Sequence, residues 1–234
     1  MPIPITDCWP PYWKGLLDPL HPQIGIGFDV ATTAKKKSNP SCLCVTQKVG
    51  TIYRNVAAVA WKSEDPSVAL GLIEEALTLP HGLKVRRLCI DATSERYFAQ
   101  NVKKSLSGRV TTQLVISSES LEYMGEQMSW KHYTGNRLVN LFVDSQIEIP
   151  NEEWCKKMIR QVYTEGGSFA SDVDEQGNHA DYFDGLKLSI EAAGSEISGP
   201  AQATAAGTGH TTKAARSGLK NPLLRRIHQK IRWS

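Results

Sequence analysis

The chain has 234 residues, 41% of them apolar, with a mean hydropathy of −0.32. These totals fit a globular protein with a real core, and no run of 18 apolar residues marks a membrane-spanning helix. The net charge of +3 is uneven: seven of the 27 basic residues fall in 213–234 without a single acid, leaving 20 basic residues against 24 acidic ones in the rest. A basic segment on a mildly acidic body points to an anionic partner, most simply nucleic acid.

Residues 1–22 are rich in proline and aromatics and read as an irregular lead-in against the body. The opening Met1-Pro2-Ile3-Pro4 lacks the basic-then-apolar order of a signal peptide. Cysteines at 8, 42, 44, 89 and 155 are odd in number, and no C-x₂-C pair occurs. Reduced core thiols in a cytoplasmic protein are therefore expected. Residues 24–30 read as a first strand, 31–41 as a turn or loop containing Lys35, Lys36 and Lys37, and 42–48 and 51–61 as a hairpin closed at Val49-Gly50. Ser63-Glu64-Asp65-Pro66 starts a helix that Pro80-His81-Gly82 stops. A fourth strand over 84–91, a helix over 94–106 and a fifth strand over 110–117 follow. Residues 119–145 read as mostly helical, 147–150 as extended and 151–162 as a helix capped by Asn151. A last strand is expected over 168–173, a polar turn over 174–178 and a helix over 180–193. Gly, Ala, Ser and Thr then dominate to residue 212, a linker composition. In the basic segment beyond it, Leu219, Leu223, Leu224, Ile227 and Ile231 recur near helical spacing.

A meander followed by strand–helix alternation implies an α/β protein with a mixed sheet and helices on both faces. Within it, four aspartates stand out. Asp29 and Asp91 each end an apolar run, and Asp181 and Asp184 lie three residues apart at the start of the last helix. Each has an ordinary explanation as a turn former, a helix cap or a complement to the helix dipole. If the first and fourth strands are neighbours, however, Asp29 and Asp91 lie side by side and repel unless a cation intervenes. A carboxylate cage suits Mg²⁺ or Mn²⁺.

Phe28-Asp29, Cys89-Ile90-Asp91-Ala92-Thr93 and His179-Ala180-Asp181, in that order, resemble the nuclease domain of the large terminase subunit of tailed phages and prophages. Gly135-Asn136-Arg137-Leu138-Val139 followed by Ile147-Glu148-Ile149-Pro150 resembles the same family's stretch before its last acidic motif. The resemblance covers roughly 22–193 and implies a ribonuclease H-like sheet of five or slightly more strands. It also implies a Mg²⁺- or Mn²⁺-dependent endonuclease that cuts concatemeric phage DNA during packaging. Asp29, Asp91 and Asp181 or Asp184 would hold two metal ions, with His179 as a ligand or an orienting group. Lys35, Lys36, Lys37, Arg216, Lys220, Arg225 and Arg226 would contact DNA phosphates. Double-stranded DNA is the implied substrate, a packaging ATPase, small terminase subunit or portal the implied partner, and the cytoplasm of an infected or lysogenic host the implied location.

The corresponding division is a lead-in to residue 22, a nuclease domain over 23–194, a linker over 195–212 and a basic tail over 213–234. Three departures accompany the resemblance. Either Asp181 or Asp184 matches the family's last metal ligand, and Asp181, two residues after His179, is preferred. No glycine follows Asp91, and Gly207-Thr208-Gly209-His210-Thr211-Thr212-Lys213-Ala214 is not a phosphate-binding loop, so a nuclease domain without its motor is expected. Other readings are a resolvase or transposase of the same superfamily, a packaging adaptor that binds DNA without cutting, and an actin-like or sugar-kinase ATPase fragment.

Overall fold

The computed structural model describes residues 9–32, 39–165, 168–173 and 179–194. All of them belong to one compact unit. The 174–178 turn and the helical spacing in the basic segment lie outside the described residues.

Three antiparallel strands form a meander: β1 (Gln23–Asp29), β2 (Ser41–Val49) and β3 (Ile52–Trp61). Gly50, at φ +61°, makes the tight turn between the last two. Helix α1 (Pro66–Leu77) is capped by Asp65, whose Oδ1 accepts from the Ser67 amide at 2.8 Å. Strand β4 (Val85–Asp91) then pairs parallel with β1, setting Phe28 against Ile90. Helix α2 (Arg96–Ser105) leads to β5 (Thr112–Val115), parallel to β4.

The expected long helix over 119–145 is corrected here. Its first third is a hairpin of β6 (Ser120–Tyr123) and β7 (Glu126–Ser129), and only Trp130–Val143 forms helix α3. The hairpin turns on Met124 and Gly125, at φ 52° and 81°. Two successive left-handed residues match the twist of a two-residue hairpin turn. Methionine is an unusual occupant of the first, so the sequence carries no Asn-Gly-like signal.

Strand β8 (Ile147–Glu148) closes a six-stranded sheet in the order β5-β4-β1-β2-β3-β8. Helix α4 (Glu153–Arg160) follows, its cap position held by Glu152 rather than Asn151. Asn151 instead accepts a hydrogen bond from Lys156 Nζ at 2.5 Å. Strands β9 (Val162–Glu165) and β10 (Ser168–Ser171) form a separate ribbon, β9 starting at Val162, the last residue of the expected helix. Helix α5 (Asp181–Gly194) ends the described structure.

The sheet separates two cores. Ile24, Ile26 and Phe28 of β1 face one way, into a cluster with α1, α2 and the lead-in residues Trp9, Trp13 and Leu17. The other face carries Cys42 and Cys44 and is covered by α3, α4 and α5. The alternate residues of β1 on that face are Gly25 and Gly27. A methyl group on Gly27 would stand 2.2 Å from Gly185 O and Ser189 N, and one on Gly25 would stand 2.1 Å from Ala193 N. The glycines are therefore required by the approach of α5, whose backbone rests on the strand. Thr46 Oγ1 and Ser189 Oγ meet at 2.6 Å, and the Tyr182 hydroxyl donates to Asn55 Oδ1 at 2.9 Å, which fixes the helix in register over β2 and β3. Cys42, Cys44, Cys89 and Cys155 are buried free thiols.

Candidate metal centre

Strand alternation places Asp29 on the same face as Gly25 and Gly27, one step beyond the point where α5 touches β1. Helix α5 begins there, so its first turn delivers Asp181 and Asp184 to the end of β1. Asp91 ends the parallel neighbour β4. Three segments far apart in sequence thus bring four carboxylates together. The condition that β1 and β4 be adjacent is met.

Electrostatic coupling follows from this placement. The Asp29 carboxyl is held well above the ordinary value of 3.8, first by burial and then by the charges of Asp184, Asp91 and Asp181. Lys187 pulls in the opposite direction. Asp181 is 3% exposed. Asp91 Oδ1 accepts from the Thr93 amide at 2.8 Å, so this aspartate also forms the turn into the following loop. Thr93 Oγ1 in turn accepts from the Ser117 amide at 2.9 Å, tying the ends of β4 and β5 together.

Lys187 has no counterpart in the sequence reading. It lies one turn beyond Asp184, its ammonium contacts the Asp184 carboxylate, and its side chain is 4% exposed. Burial pulls its pKa down, but the carboxylates of Asp184, Asp29 and Asp91 outweigh this and leave it raised. The available signal was a lysine between Asp184 and Glu191 at helical spacing in an otherwise mostly apolar helix.

His179 is exposed, and its Nδ1 lies 3.5 Å from Ser171 Oγ, which ties it to the β9–β10 ribbon. Cys42 sits opposite Asp29 in the ladder. Its thiol is pushed well up by its contact with Cys44, by burial and by nearby carboxylate charge, so it stays protonated and offers no soft ligand. Lys35, Lys36, Lys37, Arg216, Lys220, Arg225 and Arg226 lie outside the described residues.

The donor types suit a hard divalent cation: among the described residues four carboxylates lie near one ammonium, and the half-buried Asp29 feels the charge of its neighbours. Among the described residues, no three such side chains already stand in a chelating arrangement. Asp184 is engaged by Lys187 and Asp91 by its own turn.

No protein-family model and no curated protein sequence matches the chain. Solved structures do. The large terminase nuclease of thermophilic phage G20c superposes with a TM-score of 0.54 at 14% identity, over 72% of this chain and 81% of that one. The same nuclease with bound magnesium gives 0.51 at 13% identity, over 72% and 80%. The fold is ribonuclease H-like, in the form that large terminase nucleases take. The Thermus phage P74-26 large terminase nuclease domain gives 0.50 at 16% identity, over 74% and 80%. At these identities the likeness concerns the fold. No helix among the described residues is long and apolar enough to cross a membrane.

Proposed function

We propose that the chain is a terminase-type endonuclease, dependent on Mg²⁺ or Mn²⁺, that cuts concatemeric phage DNA during genome packaging. The observation that carries this reading is the meeting of Asp91, Asp181 and Asp184 around the half-buried Asp29, whose carboxyl is held well above its ordinary value by desolvation and the neighbouring charges. Asp29, Asp91 and Asp181 would hold the metal, as a pair of ions in the full reading. Asp181, buried at the start of the helix, is preferred as the third ligand, and Asp184, held by Lys187 in the metal-free protein, is kept as a candidate that joins once released. Divalent ions bound there supply an activated water and neutralise charge on the scissile phosphate and the leaving oxygen.

The protein's own part is to hold the carboxylates rigidly. The backbone contact between α5 and β1 fixes two of them relative to the third, and the Asp91 turn fixes the fourth. His179 would orient a water or a phosphate at the rim. Lys35, Lys36 and Lys37, with Arg216, Lys220, Arg225 and Arg226, would add salt-sensitive contacts to the DNA backbone. We assign the nuclease domain to 23–194, with 195–212 as linker and 213–234 as a basic tail. Double-stranded DNA is the substrate, and a packaging ATPase, small terminase subunit or portal is the partner.

The test is incubation of supercoiled plasmid with the protein in Mn²⁺, Mg²⁺ or EDTA, with Asp29→Ala and Asp91→Ala in parallel. Nicking should require metal and disappear in both variants. Cleavage that persists in EDTA, or in both variants, would sink the assignment. A four-way junction run beside the plasmid separates this reading from the resolvase alternative, which requires preference for the branched substrate.

A further inference from the structure

Lys187 is out of place for an ordinary helix lysine. Its neighbours Leu186, Leu188 and Ile190 are buried in the core, and its own side chain is 4% exposed. A lysine so deeply covered is rare unless it is paired. Its pairing is lopsided. The ammonium contacts Asp184 and lies within the electrostatic reach of Asp29 and Asp91, so one positive charge serves several carboxylates. The carboxylate of Asp184 is about one-third exposed, at 37%, whereas the ammonium that meets it is not. The Phe183 ring lies 5.6 Å from the ammonium and closes another side.

Resting on the metal-dependent reading above, we infer that Lys187 is the resident counter-cation of the carboxylate cluster, and that divalent-metal binding proceeds by exchange, Asp184 passing from the ammonium to the incoming ion. The physical ground is competition for one set of oxygens. With no metal present, four aspartates at the ends of β1, β4 and α5 repel each other. An ammonium on the same helix relieves that repulsion without leaving the core. The same ammonium then repels any cation that approaches, and it withholds the carboxylate it binds. Lys187 therefore plays two opposed parts: it supports the fold when metal is scarce and weakens the site's hold on metal. A simple structural ion pair would do only the first.

The two parts can be separated by experiment. Lys187→Met removes the charge while keeping an unbranched side chain, and Lys187→Arg keeps the charge. Thermal unfolding in EDTA and Mn²⁺ titration by calorimetry are measured on both and on the wild-type chain. Lys187→Met should unfold at lower temperature in EDTA yet bind Mn²⁺ tighter, by roughly tenfold, the size of one moderate coupling between charged ligands. Lys187→Arg should stay near wild type on both counts. In the unaltered protein, the Lys187 ammonium resonance, followed by ¹H–¹⁵N NMR, should move as Mg²⁺ saturates the site, which keeps the inference open to test if the methionine variant folds poorly. Equal Mn²⁺ affinity in wild type and Lys187→Met, or an ammonium signal indifferent to Mg²⁺, would overturn the exchange while leaving the metal site standing. Absence of Mn²⁺ binding in wild type, matched by Asp29→Asn, would overturn the metal site and the exchange with it.

Discussion

The two ends of helix α5 are built on opposite electrostatic principles. At its C-terminal end, Arg137 of α3 donates to Glu191 Oε2 at 2.6 Å and to the Tyr53 hydroxyl at 2.7 Å, and it also binds the Gly194 carbonyl. Its guanidinium lies 5.4 Å from the Tyr53 ring centre. One buried cation meets one buried anion and the negative end of a helix dipole, so the charges there close. At the N-terminal end, Asp181 and Asp184 join Asp29 and Asp91 against Lys187, the cation that faces them among the described residues. A helix start welcomes some negative charge, but this is more than the dipole accounts for. The balanced end is built for stability. The unbalanced end is the one proposed above to take a metal ion.

Three perturbations probe that contrast. The largest effect should come from the balanced end. Arg137→Ala strands Glu191, which is 1% exposed, and losses of about 3–5 kcal/mol are usual for half of a buried pair. Chemical denaturation should show that loss, while Mn²⁺ affinity, measured at a temperature where the variant is folded, stays at the wild-type value. A parallel collapse of metal binding would mean the two ends are not independent.

Gly27→Ala acts between the ends. The added methyl collides with α5 backbone, so the overpacking cost should reach the upper part of the usual range of about 1–3 kcal/mol. Because the helix must lift from β1, metal binding should weaken together with stability. Wild-type Mn²⁺ affinity in a destabilised Gly27→Ala protein would show that the spacing between strand and helix does not set the site.

The smallest effect has the opposite sign. An unfolded chain releases the Asp29 proton near 3.8, whereas the native protein keeps it to higher pH because of burial and the neighbouring carboxylates. Above 3.8 the native state therefore holds the extra proton, and metal-free stability falls as pH rises toward the raised native value. Asp29→Asn should flatten that decline and raise the melting temperature at neutral pH in EDTA. For a chain of this size the gain is about 2–4 °C per kcal/mol recovered. A lower melting temperature for Asp29→Asn at neutral pH would show that the carboxylate stabilises the metal-free protein.

Much of this was legible in the sequence because local pattern and global fold agree. The meander, the β4 strand and the last helix all carry clear periodicity, and acids after two apolar runs and at one helix start marked three points that the topology brings together. Other features were not legible, for specific reasons. The β6–β7 hairpin turns on Met124-Gly125, a pair without turn chemistry in its first member. Strand β9 begins immediately after α4, so apolar spacing alone gave no boundary. Gly25 and Gly27 alternate with Ile24, Ile26 and Phe28, a pattern that shows one face stripped of side chains, but its purpose emerges only once α5 is seen lying on it. Lys187 was hidden because a lysine's burial depends on partners from β1 and β4 that no local window contains.

That bare glycine face also governs when the site comes into being. Its two sides, β1 and α5, are roughly 150 residues apart, and contacts of such long separation form late because the intervening loop entropy must be overcome first. The sheet and the α1–α2 face can assemble from earlier parts of the chain. The carboxylate cluster is complete only once the last helix rests on β1, so every site residue depends on a contact that spans most of the described chain.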